Sequence, residues 1–222
     1  QMCIRDSYNG GMDIQFQQPA FWVDSQQSLE EMQKFVRSHK HIGVDTESNS
    51  LYAYQEHVCL IQISADSRDY LIDALAPLDL AGLGEIFADS GIEKIFHAAE
   101  YDLLCLKRDY GFSFRNLFDT MQAARILGIE RIGLSDMLEK RFAVSPGKSF
   151  QKANWGMRSL SEDMKLYARL DTHFLIPLRY QLEAELKEKN LISLAEEDFK
   201  RLCGVEPQEN GQPFYASVSG YH

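Results

Sequence analysis

Two apolar runs, Val58–Ser64 (VCLIQIS) and Arg68–Asp73 (RDYLID), stand only three residues apart, and the Ala65-Asp66-Ser67 link between them is polar and short. Such a link lets two strands meet only as antiparallel neighbours. A third run, His41–Val44, is apolar and leads into Asp45-Thr46-Glu47, so a three-stranded meander is expected early in the chain. After it the pattern changes. Leu78–Ala88 reads as a helix, Lys94–His97 as a buried strand and Ala99–Tyr110 as a helix stopped by Gly111, an alternation that demands a parallel crossover. Asn116–Asp119 adds a brief strand, and Thr120–Leu127 and Leu134–Phe142 read as helices. The expected fold is therefore α/β, a mixed sheet made of an antiparallel meander plus parallel strands, flanked by helices.

Further expectations are local. Phe21–Arg37 has the spacing of an amphipathic helix. Ser161 is a good N-cap, with Glu162 and Asp163 in the first turn, for a long helix that Pro177 should kink because it lacks a backbone donor. From Cys203 onward the chain turns polar and aperiodic, as a linker does. At the other end, Gln1–Ser7 (QMCIRDS) matches the translation of a transposon end used in sequencing libraries; we expect it to be foreign to the protein, whose gene is then cut short as well.

Composition excludes several classes. No apolar run approaches the roughly 18 residues of a membrane span, and no secretory signal opens the chain, so a cytoplasmic protein without membrane contact is expected. Four widely spaced cysteines without a CxxC pair indicate neither zinc nor a disulfide framework. A net charge of -10 argues against a phosphate-binding surface, but residues 121–160 carry seven basic side chains against three acidic ones, a local excess that reopens the question.

The chemistry lies in oxygen ligands. On a strand of period two, Asp45 and Glu47 project from one face. Asp102 follows a buried strand at the start of a helix, where it could equally complement the helix dipole. Tyr167 and Asp171, four apart, share one helix face. Each is unremarkable alone; together they supply the hard donors that paired divalent cations require.

In order and spacing, VDTE, HAAEYDLLCL and YARLD, with VCLIQIS, LFDT and SFQKANW between them, resemble the three exonuclease motifs of ribonuclease D over about residues 20–200, and the tyrosine marks the DEDDy branch of 3′-5′ exonucleases. The resemblance implies a ribonuclease-H-like fold and an exonuclease domain. Asp45, Glu47, Asp102 and Asp171 then hold two divalent cations, Mg²⁺ or Mn²⁺, and Tyr167 orients or deprotonates the attacking water. Thr46, Ser48, His97 and Lys148 are expected to contact the substrate, single-stranded RNA 3′ ends such as tRNA precursors, and the protein to act as a monomer. Asn154 departs from the aspartate common before this tryptophan, and spares all five site residues. The closing FYASVSGYH resembles the approach to a helicase-and-RNase-D C-terminal module, so residues 201–222 are expected to be a linker and the start of that truncated module. A DNA exonuclease of proofreading or helicase-associated type, or a non-catalytic nucleic-acid-binding relative, would share many of these features.

Overall fold

A computed structural model describes residues 18–207 apart from Ser145 and Lys148. The expectations for Gln1–Ser7, Lys148 and residues 208–222 lie outside the described residues.

Six strands form one mixed sheet: β1 (Phe21–Val23), β2 (His41–Ser48), β3 (Val58–Ala65), β4 (Arg68–Asp73), β5 (Glu93–Phe96) and β6 (Leu117–Asp119), in the order β1-β4-β3-β2-β5-β6. β2, β3 and β4 pair antiparallel, as the two-residue link from β3 to β4 requires and the loop of residues 49–57 from β2 to β3 allows, whereas β1 on β4, β5 on β2 and β6 on β5 are parallel. Every residue of β3 is buried, which explains why its sequence is a continuous apolar run: a central strand covered on both faces has no solvent side to mark.

Helices α1 (Gln26–Val36), α2 (Ala81–Ala88), α3 (Glu100–Tyr110), α4 (Thr120–Ile126), α5 (Leu134–Phe142), α6 (Glu162–His173), α7 (Leu175–Glu188) and α8 (Ile192–Cys203) surround the sheet. α6 lies across β2, β3 and β4. Gly43 permits this close approach, because a Cβ there would stand 2.8 Å from the Thr172 carbonyl oxygen and 3.2 Å from Leu175 Cβ. Gly111, at φ 67°, ends α3 in the left-handed conformation that glycine adopts without strain.

Two local expectations need correction. Phe21–Val23 is an edge strand, not helix: Ser25 is the N-cap, in a reciprocal capping box with Ser28, so α1 begins only at Gln26. The aromatic and β-branched Phe-Trp-Val triplet before it suits a pleated edge. Pro177 does not kink one long helix. The chain breaks at Phe174, and Pro177 falls in the first turn of α7, where a missing N–H leaves no hydrogen bond unmade.

Candidate active site

β2 carries Asp45 and Glu47 on the face over which α6 passes, since Asp45 is paired with Gln62 and Gly43 with Ser64, whose hydroxyl lies 2.7 Å from Thr172 on α6. Opposed residues of an antiparallel pair share a face. α6 thereby brings Asp171 to the same place: one carboxylate oxygen each from Asp45, Glu47 and Asp171 can be chosen so that all lie within 4.8 Å of one another.

Asp102 arrives from the first turn of α3, on the other side of β2. Its Oδ1 accepts from the Thr46 amide at 3.1 Å and from the Thr46 hydroxyl through a shorter bond. Thr46 alternates with Asp45 and Glu47 along the strand, so one triplet offers two candidate ligands and the residue that holds the Asp102 carboxylate in place.

Packing four carboxylates together has an electrostatic signature. Burial pushes Asp45 well above the usual carboxylate range, and the charges of Asp102, Asp171 and Glu47 push it further. Glu47 and Asp171 are raised for the same two reasons. Burial lifts Asp102 to about 7 even though the Thr46 hydrogen bonds oppose the rise. Clustered carboxylates that resist ionisation are what a divalent cation relieves, and an all-oxygen donor set suits Mg²⁺ or Mn²⁺. Gln62 adds a further demand. It is fully buried beside Asp45, and neither polar atom of its amide meets a hydrogen-bond partner among the described residues.

Tyr167, one helical turn before Asp171, is held between Phe150 and Trp155, with ring centroids at 5.8 and 6.2 Å. Trp155, itself fully buried, belongs with Leu60, Leu71 and Leu160 to the small apolar cluster beneath this ring. The helix bearing both residues is fastened by a buried ionic network. Arg169 Nε donates to Asp69 at 2.6 Å, His173 Nδ1 lies 2.9 Å from the same carboxylate, and the Ser64 hydroxyl donates to it at 2.7 Å.

Among the described residues expected to touch substrate, Thr46, Ser48 and His97 have partners within the protein. Thr46 is engaged with Asp102. The Ser48 hydroxyl donates to Glu56 at 2.7 Å. His97 Nδ1 meets the Thr120 hydroxyl at 2.9 Å, and burial lowers this imidazole to about 4, so it is neutral near pH 7 and is no cationic phosphate clamp. Three of the seven basic side chains of residues 121–160 are committed to ion pairs: Arg131 with Asp136, Arg141 with Glu185 and Arg158 with Asp73.

One residue escaped the sequence reading although its motif, LFDT, was noted. Asp119, at the end of β6, accepts from the backbone amides of Ala98 (3.3 Å) and Ala99 (2.7 Å), and so holds the β5–α3 turn, where Ala98 has φ 64°. That turn aims Asp102. The only sequence signal was an acid closing a short strand.

Comparison with known proteins agrees with this geometry. Residues 20–187 match the family model described as a 3′-5′ exonuclease. Over 173 residues the chain is 40% identical to the exosome complex exonuclease RRP6 of Saccharomyces cerevisiae, covering 78% of this chain but 24% of that protein, so it spans about a quarter of the relative's length. Its fold is similar to the catalytic core of RRP6 from Trypanosoma brucei (TM-score 0.84, 29% identity, 87% of this chain and 54% of that one). It is also similar to RNase D of Escherichia coli, an exoribonuclease involved in structured RNA processing (TM-score 0.78, 26% identity, 84% of this chain and 50% of that one). With a ribonuclease-H-like sheet, carboxylates gathered from β2, α3 and α6, and these relatives, the chain belongs to the 3′-5′ exonuclease family, of the ribonuclease D type.

Proposed function

We propose that the protein is a two-metal 3′-5′ exoribonuclease that releases nucleoside 5′-monophosphates one at a time from the 3′ ends of single-stranded RNA, through a domain spanning residues 20–200. The observation that carries this reading is the convergence of Asp45, Glu47 and Asp171 within ligand distance of one another, with Asp102 aimed beside them by Thr46. Asp45, Glu47, Asp102 and Asp171 would hold two divalent cations. When bound, such ions polarise the scissile phosphate, acidify a bound water and compensate the repulsion between anionic site and anionic substrate.

The protein's own groups do the rest. Tyr167, on the face of α6 that carries Asp171, orients the attacking water through its phenol. Thr46 keeps Asp102 in register as charge moves through the site. Of the residues first expected to meet the strand, Ser48 follows Glu47 directly in sequence and His97 precedes Asp102 by five residues, which keeps both as candidates for substrate contact, with Lys148 as a candidate cation on sequence grounds alone.

The substrate class in this reading is stable RNA, with tRNA precursors as one member, and the protein works in the cytoplasm as a monomer. The relatives favour a second arrangement. Several are named as exosome components, which sets a subunit of an RNA-degrading assembly against the monomer. Matched RNA and DNA strands, labelled at either end and incubated with Mg²⁺, Mn²⁺ or EDTA, test the central claim. We expect a 5′-labelled RNA to shorten in single-nucleotide steps, faster than DNA and only with metal. Undiminished cleavage in EDTA would sink the proposal, and stoichiometric co-purification with other chains would replace the monomer.

A further inference from the structure

We propose that the loop of residues 49–57, with Tyr54 at its tip, is a stacking platform for a base of the single-stranded RNA a few nucleotides from the end being cleaved; this rests on the exoribonuclease reading above. Three observations carry it.

The first is placement. The loop leaves β2 directly after Ser48, and Ser48 itself binds the loop through Glu56 (2.7 Å). The loop therefore begins within two residues of Glu47, at one edge of the carboxylate cluster.

The second is order. The Asn49 amide donates to the His57 carbonyl at 3.3 Å, the His57 amide donates to Asn49 Oδ1 at 2.8 Å, and the amides of Tyr52 and Ala53 both turn back to the Asn49 carbonyl. The Tyr52 hydroxyl donates to the Lys152 carbonyl at 2.7 Å, tying this loop to the one that carries Trp155. A Cβ on Gly156 would stand only 3.4 Å from Asn49 Cβ, so the two loops are in contact. The backbone on either side of Tyr54 is thus held before any strand binds, which limits the conformational entropy that the loop loses on binding.

The third is surface chemistry. Tyr54 is fully exposed, and Leu51, Tyr52 and Met157 are each more than half exposed. Four of the nine large apolar side chains exposed among the described residues thus sit on these two joined loops, bordering the anionic site. Lys152, exposed on the second loop, offers a cation for a backbone phosphate. Aromatic faces beside a single basic group suit unpaired bases, which stack on a ring regardless of identity. A protein partner seated here would cover the path of the strand.

The experiment compares wild type, Tyr54→Ala and Tyr54→Trp on RNA oligomers of two and eight nucleotides, with steady-state kinetics in Mg²⁺ and fluorescence anisotropy in Ca²⁺. For the eight-nucleotide strand Tyr54→Ala should raise KM and the binding constant by about 5- to 30-fold, with kcat within about twofold. Tyr54→Trp should restore both, and the dinucleotide, too short to reach the loop, should not distinguish the variants. Unchanged KM and affinity for the longer strand in Tyr54→Ala would overturn the platform while leaving the exonuclease intact. Were there no metal-dependent cleavage at all, the functional reading would fail, and the anisotropy series would still decide whether Tyr54 binds single-stranded RNA.

Discussion

Substituting Asp102 by asparagine should make the metal-free protein more stable while destroying its response to metal. Asp102 titrates at about 7 in the fold against 3.8 for an ordinary aspartate, burial being the main cause. At 1.36 kcal/mol for each tenfold change in proton affinity, that corresponds to about 4 kcal/mol when the group is forced to ionise. Burial of the charge is the larger part, and the Asp102 charge also raises Asp45 and Asp171; because asparagine still buries a polar amide, the substitution should recover about half, roughly 2 kcal/mol. Asparagine keeps an oxygen that can accept both Thr46 hydrogen bonds, so little packing is lost.

The sign of the pH dependence follows from linkage. A folded-state pKa above the unfolded value means that the folded protein holds a proton which the unfolded chain has released between about pH 4 and pH 7. Stability from this group therefore falls as pH rises through that window and stays low above it. The difference between Asp102→Asn and wild type should be near zero at pH 4 and full at pH 8. His97, lowered to about 4, acts oppositely, losing stability as pH falls below its ordinary 6.5, but it is present in both proteins and cancels.

In EDTA at pH 8 the variant should melt higher by about 4 to 8 °C, using 2 to 4 °C per kcal/mol for a domain of this size. Added Mg²⁺ at a hundredfold its dissociation constant should stabilise wild type by about 2.7 kcal/mol and the variant far less. Melting curves of both proteins, in EDTA and Mg²⁺ from pH 4 to 8, decide the matter. A variant that melts below wild type in EDTA at pH 8 would refute the picture of mutually repelling carboxylates.

Two other perturbations separate chemistry from packing. Tyr167→Phe keeps the ring between Phe150 and Trp155, so single-turnover cleavage should slow by roughly 10² to 10⁴ with the melting temperature nearly unchanged; full activity would return Tyr167 to a packing role. Gly43→Ala puts a methyl 2.8 Å from the Thr172 carbonyl, so α6 must move. Thermal melts should show a loss of about 1 to 3 kcal/mol, and a Mg²⁺ titration of activity should need more metal because Asp171 moves with α6. A Gly43→Ala enzyme with wild-type stability and metal response would mean that α6 does not set the ligand spacing.

The elements legible in the sequence are those whose signal is local. β3 and β4 announce themselves because a three-residue link permits only one pairing, and Gly111 ends α3 because few other residues tolerate its backbone conformation. Asp45 and Glu47 could be placed on one strand face by period alone, and Tyr167 and Asp171 on one helix face, while their joint occurrence and the resemblance to ribonuclease D supplied the roles expected of them. β1 was not legible: three residues at an edge have no period, and they become a strand only because β4 offers a parallel partner about 50 residues away. The break before α7 was misplaced for a related reason, since proline specifies that a helix must yield nearby without specifying the residue.

Read alone, the chain's residues were enough to name the family and to propose a set of oxygen donors with the strand and helix faces they occupy. Tertiary structure decided the rest. Only the sheet order brings β2 against β5 and lets α3 deliver Asp102 to the Thr46 hydroxyl, and only the passage of α6 over Gly43 sets Asp171 within reach of Asp45. Asp119 and Gln62 gained meaning in the same way, one by holding a turn 21 residues away in sequence, the other by lying beside Asp45 with a side-chain amide that meets no hydrogen-bond partner among the described residues. Local periodicity constrains a side chain's direction from its own backbone, whereas distances and proton affinities come from groups far apart in the chain that meet only when the sheet closes over its helices.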